Sequence, residues 1–137
     1  MKSYTDLEQS KKLAEILPPE SADMHLMNSS IKGEMYVDEF KPVLVPYLRA
    51  KDSLDAYSKI VNNMIAWEVI PCWSLVALLD VLPNKLRIAL AINDFQGDRK
   101  EKYSIGSVEH DKYDCFADNP VDACVEMILK LHELNLL

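Results

Sequence analysis

Glycine is scarce in this chain. Gly33, Gly97 and Gly106 are its only glycines in 137 residues, and none lies in a GxxxxGK[ST] or GxGxxG setting. Backbone that wraps a phosphate needs glycine at such spacings, so nucleotide enzymes of those classes are excluded. Cysteine is also sparse. Cys72, Cys115 and Cys124 make an odd set, unlike the even frameworks of small secreted domains. Reduced thiols in a cytoplasmic protein are the expectation. No CxxC or HxxxH pair occurs, so a structural zinc centre has no local ligand pair to start from. No GxSxG brings a nucleophilic serine into view.

Positive charge is in deficit. Lys and Arg total 15 against 22 Asp and Glu, which leaves a net charge of −7 at pH 7. That balance argues against general affinity for nucleic acid, whose phosphates need a basic surface, and against anionic membranes. Arg99, Lys100 and Lys102 come closest to a basic run, but Asp98 and Glu101 are interleaved with them. This is a charged hairpin tip. No apolar run approaches bilayer length, and MKSYTDLEQSKK lacks the apolar core of a signal peptide.

What remains is the composition of a globular protein, 49% hydrophobic and 27% charged. The length suits one domain over residues 1–137, with 25–50 expected as irregular chain or edge strands. The clearest local signal closes the chain. Asn119 can accept an N–H left unpaired by the first helical turn, and Pro120 suits the first helical position. Asp122 adds negative charge at that electropositive end. Val121, Cys124, Val125, Ile128, Leu131 and Leu134 recur at the steps of one buried helical face.

A first helix is predicted from Thr5 to about Ile16, with Thr5 and Glu8 at capping-box spacing. Leu7, Leu13, Ala14 and Leu17 form its apolar side, and Pro18-Pro19 forbids continuation. Between Ser21 and Tyr47 the alternation of Met35, Val37, Val43 and Val45 predicts short strands, interrupted by Gly33, Pro42 and Pro46. Ser53–Trp67 carries a helical pattern through Leu54, Tyr57, Ile60 or Val61, Met64 and Ile65. Pro71–Pro83 reads as a short helix starting at Pro71 or Ser74, apolar on nearly every side and buried beneath a sheet.

Leu86, Ile88, Leu90 and Ile92 alternate as a strand with one strongly buried face. Asn93–Arg99 supplies turn residues, a second strand follows at Tyr103, Ile105 and Ser107, and a third carries Tyr113 and Cys115. The expected fold class is α+β, with helices packed on one face of a small antiparallel sheet of about three to four strands.

Three blocks, YTDLEQSKKLAEILPPESADM, IPCWSLVALLDVLP and DNPVDACVEMILKLHELNLL, together resemble a family of small uncharacterised proteins of gut Bacteroidetes bacteria, their mobile elements and their phages. The resemblance covers both ends and the short central helix, roughly half of the chain, and does not extend over His25 to Trp67. It implies an accessory gene product carried by mobile DNA. The family has no known activity, so the resemblance assigns no catalytic or binding residue.

The chemistry-bearing side chains give no reaction signature. His110 and Cys115 lie near Asp111 and Asp114, but an acidic hairpin with one inward thiol is the favoured reading over a metal site. Cys124 near a helix start has a route to reactivity, yet Asp118 and Asp122 oppose it and core packing is favoured. Cys72 beside Trp73 reads the same way, as do Trp67 and Trp73. Catalytic, cofactor-binding and metal residues are therefore assigned as none.

Glu109, Asp111, Asp114, Asp118, Asp122 and Glu126 crowd one stretch against Lys112. Of these, Glu109, Asp111, Asp114 and Asp118 form the candidate docking surface for a protein partner. The leading expectation is a non-enzymatic accessory protein acting through protein–protein contacts, with an unknown partner or by self-association. The alternatives are a small-molecule or metal-binding protein using scattered Cys, His and carboxylates, and an acidic inhibitor of a nucleic-acid-binding protein. No cofactor, nucleic acid or membrane is expected.

Overall fold

The computed structural model describes residues 2–31, 41–44, 65–92, 100–108 and 113–137. The architecture is α+β: the described residues form three helices and six strands, the strands divided between two antiparallel sheets of three. The first sheet has the order β2-β1-β3, formed by Met24–Ile31 (β1), Lys41–Leu44 (β2) and Ile65–Cys72 (β3). The second has the order β4-β5-β6, formed by Ile88–Ile92, Tyr103–Ser107 and Cys115–Ala117.

Helix α1 spans Leu7–Ile16. Its cap differs from the expected Thr5/Glu8 pair. Asp6 is the N-cap and accepts the Gln9 N–H, while the Gln9 side chain accepts the Asp6 N–H, closing a capping box one residue later. Thr5 is released for another task. It is fully buried and joins the end of β3: its N–H donates to the Trp73 carbonyl at 3.0 Å, and its Oγ1 accepts the Trp73 N–H at 3.1 Å. The helix stops at Leu17, where Pro18-Pro19 prevents another turn, and a single 3-10 turn at Pro19–Ser21 leads into β1.

Strand β1 pairs with β3 from Met24↔Cys72 to Ile31↔Ile65, and with β2 from Met24↔Leu44 to Met27↔Lys41. Two expectations change here. The helical pattern over Ser53–Trp67 does not hold at residues 65–67, which lie in β3, whose IAWEVIPC is rich in β-branched and aromatic residues. The rest of that proposed helix, like Met35, Val37 and Val45, lies outside the described residues. Pro71 and Cys72 finish β3, so of the two expected starts of the next helix, Pro71 and Ser74, it is Ser74 that opens α2, Leu75–Val81. Ser74 caps it by accepting the Ala77 N–H.

Nor is α2 buried on nearly every side. Ala77 and Leu78 are buried, whereas Val76 is 68% and Leu79 39% exposed. It packs against the closing helix, α3 (Pro120–Glu133), rather than beneath a sheet.

Asn119 caps α3 (Pro120–Glu133) by accepting the Asp122 N–H at 2.9 Å, and Pro120 opens it. Its buried face is wider than the predicted stripe: Ala123 and Met127 join Val121, Cys124, Val125, Ile128 and Leu131. The reason is contact on several sides, with β5, β6, α1 and α2. Each large aliphatic side chain buried there stabilises the fold by about 1.5–3 kcal/mol. Leu134 falls at the C-cap and is half exposed.

The strand β4 begins at Ile88, because Leu86 closes a 3-10 turn and Arg87 takes a left-handed conformation at φ 47°. Its inward face is not strongly buried. Ile88 and Leu90 are half-buried and pack against the core, and Ile92 is 67% exposed. Position in the sheet explains this: among the described residues β4 is an outer strand, and the contacts of α3 fall on β5 and β6.

Candidate functional site

Among the described residues, three places gather polar or exposed side chains. The first is the thiol set, and burial decides its chemistry. All three cysteines are free and buried. Cys124 is fully buried in the apolar core, and burial pushes its thiol up to about 12. Cys115 belongs to the same cluster and is also raised by burial. Cys72 lies instead beside the Thr5–Ser10 hydroxyl pair, whose oxygens are 2.7 Å apart, and donates to the Thr5 carbonyl at 3.4 Å. Burial raises it too. Raised thiols are poor nucleophiles, so these are packing residues.

The second is a cleft of about 540 Å³ where the α1 corner, α2 and the end of α3 meet. Ile16, Leu17, Ala77 and Val81 supply apolar walls, and Glu20, Asp80 and His132 the ionisable groups. Ser21 also lines it, but its hydroxyl is already engaged, accepting from Trp73 Nε1 at 2.9 Å and donating to the Pro18 carbonyl at 2.7 Å. Sequence reasoning missed this cleft. Its groups come from positions 20, 80 and 132, and only the Pro18-Pro19 corner hinted that chain would turn there. Among the described residues, no three His, Cys, Asp or Glu side chains gather as a metal would require.

The third is the second sheet, which carries what can be seen of the candidate docking surface. Register sets its two faces. Leu90, Ile105 and Cys115 form one inward row, and Ile92, Tyr103 and Ala117 another. The opposite face presents Ala89, Ala91, Ser104, Gly106 and Phe116. A shallow hollow of about 360 Å³ lies there, lined also by Val108 and Asp114. Asp114 is half-buried with its carboxylate over Gly106, and Asp118, just past β6, is exposed. Val108 is 69% exposed. Glu109 and Asp111 lie outside the described residues, as do His110 and residues 93–99, where a turn is expected from the sequence.

Acidic Asp122 does not share that surface. Its carboxylate receives Lys2 Nζ at 2.7 Å, Gln9 Nε2 at 2.7 Å and Asn119 Nδ2 at 2.6 Å, tying the N-terminal segment and α1 to the start of α3. Partial burial pushes its pKa up, but these three hydrogen bonds outweigh that and hold the carboxyl below its ordinary value. Lys2 also pairs with Asp6 at 2.9 Å. Partial burial lowers the lysine's pKa, and its bonds to Asp122 and Asp6 outweigh this and raise it. This is a clasp within the fold.

No family model, curated protein or solved structure matches the chain. No helix among the described residues is long and apolar enough to cross a membrane.

Proposed function

We propose that this chain is a non-enzymatic accessory protein that acts through protein–protein contacts, made by the edge and outer face of the β4–β5–β6 sheet. One observation carries the reading: β4 leaves Ile92 two-thirds exposed beside an outer face of Ala89, Ala91, Ser104, Gly106 and Phe116, with Asp114 and Asp118 near its far edge. Apolar surface flanked by charge is the composition of a docking site rather than of a solvated face. The resemblance of the terminal and central blocks to proteins of gut Bacteroidetes and their mobile elements supports an accessory role on mobile DNA. Affinity capture from the native host tests the reading, with an Asp114→Lys/Asp118→Lys variant alongside. A partner held by the wild type and lost by the variant supports it. No specific partner and no self-association in either sample contradicts it.

A second reading, ligand binding, is favoured by the cleft beside His132. Its volume of about 540 Å³ falls in the range of roughly 300–1,000 Å³ used by small-molecule sites. Glu20 and Asp80 form no ion pair among the described residues. Ligand-observed NMR with small organic cations, on wild type and Asp80→Asn, together with metal analysis of the purified protein, separates this reading from the first.

A further inference from the structure

Strand β4 is Ile88-Ala89-Leu90-Ala91-Ile92, a sequence that reads the same in both directions. An outer strand offers a row of backbone donors and acceptors to any chain that can lie beside it. Folded proteins blunt such edges with charge, proline or short length. The other outer strands show these devices. β2 carries Lys41 and Pro42, β3 carries Glu68 and Pro71, and β6 has three residues between Asp114 and Asp118. β4 has five residues with neither charge nor proline, and among the described residues it pairs only with β5.

We infer that the partner of β4 is a second copy of this chain, paired antiparallel about a two-fold axis at Leu90. This rests on the protein-contact reading and names the partner. The two-fold sets Leu90 against its counterpart, Ile88 against the partner's Ile92, and Ala89 against the partner's Ala91. Paired side chains in an antiparallel ladder fall on the same face, so the half-covered inward row of one copy meets that of the other. Such an interface is isologous and closes at two copies, giving one continuous sheet of six strands. Its alanines face outward on both copies, so the paired strands themselves bring no bulky side chain to that face.

Area sets the strength. Three aliphatic side chains per copy, at roughly 60–120 Å² each, bury several hundred Å² in total. Stable interfaces bury about 1,200–2,000 Å². The dimer is therefore weak and depends on concentration.

Sedimentation equilibrium from low micromolar to several hundred micromolar protein tests the inference. The apparent mass should climb from 15.6 kDa toward twice that value. Ala89 and Ala91 are exposed, so Ala89→Lys/Ala91→Lys and Ala89→Glu/Ala91→Glu leave the monomer folded, which circular dichroism checks. Each variant alone should stay monomeric, because like charges face each other twice across the axis. An equimolar mixture should recover the dimer, because each lysine then faces a glutamate.

A wild type that stays monomeric throughout overturns the inference, as does a mixture that recovers nothing. The same samples run through host-lysate capture separate the two readings. A monomer that still holds a different protein through Asp114 and Asp118 overturns only the second copy. A monomer that holds nothing overturns both.

Discussion

The carboxylate of Asp114 occupies the space above Gly106 where a side chain would otherwise begin: a Cβ at Gly106 would meet Asp114 Oδ1 at 1.8 Å and Cγ at 2.7 Å. The two residues sit on neighbouring strands' outer face, Gly106 in β5 and Asp114 one residue before β6. The glycine is what lets an acidic side chain lie down on this sheet. Gly106→Ala should drive the carboxylate off the face and cost about 1–3 kcal/mol in urea unfolding. Adding Asp114→Ala should recover part of that loss, since the atom then nearest, Asp114 Cα, is at 3.3 Å. Simple additivity of the two changes would refute the contact.

The thiols give a reactivity prediction. Cys124 is fully buried with its pKa pushed up to about 12, and burial raises Cys72 and Cys115 as well. Native protein should react with a thiol-specific disulfide reagent at pH 8 only as fast as it opens, and all three thiols should react at once in denaturant. A fast native phase would contradict their assignment to the core.

Thr5 tests the joint between α1 and β3. Its Oγ1 accepts the Trp73 N–H and also pairs with Ser10, all in a fully buried setting. Thr5→Val keeps the shape and leaves that N–H without its acceptor, a loss of about 1–3 kcal/mol. Glu8, the other half of the expected capping box, is exposed and its removal should matter little. Equal effects at the two positions would restore the sequence-based cap.

The clasp at Asp122 predicts an acid limb. Its folded-state pKa lies below the ordinary 3.8, so its contribution is complete above that value and is lost as pH falls through the lower, folded one. Asp6 is shifted the same way. Lys2, raised above 10.5, adds stability that is complete below that pH and lost only as pH rises through its higher, folded value. Asp122→Asn should flatten the dependence of thermal midpoint on pH below about pH 4, with a neutral-pH cost near 1 kcal/mol once solvent screening of this partly exposed group is counted. An unchanged acid limb would show that the clasp is marginal.

Local signals were legible where one short segment decides its own state. Asn119-Pro120 and the apolar steps of α3 announced the closing helix, and the alternation in Tyr103–Ser107 announced β5. Signals failed where a partner decides. Thr5 looks like a cap until β3 arrives to bind it, and residues 65–67 look helical until β1 pairs with them. Ile92 has the pattern of a buried position but sits on an outer strand, which periodicity cannot reveal. Of the candidate docking surface, the sequence marked Asp114 and Asp118 and the strands beside them, but not how much of β4 would stay exposed. The cleft at Glu20, Asp80 and His132 joins three distant segments and left no local mark.

The most direct measurement is amide hydrogen exchange at low and high protein concentration, comparing β4 with β5. β5 is paired on both sides within one copy, so its protection should not change. Protection across Ile88–Ile92 should rise with concentration if this edge is where protein contacts form. Exchange in β4 that is the same at every concentration, and unchanged with any captured partner, would contradict the account.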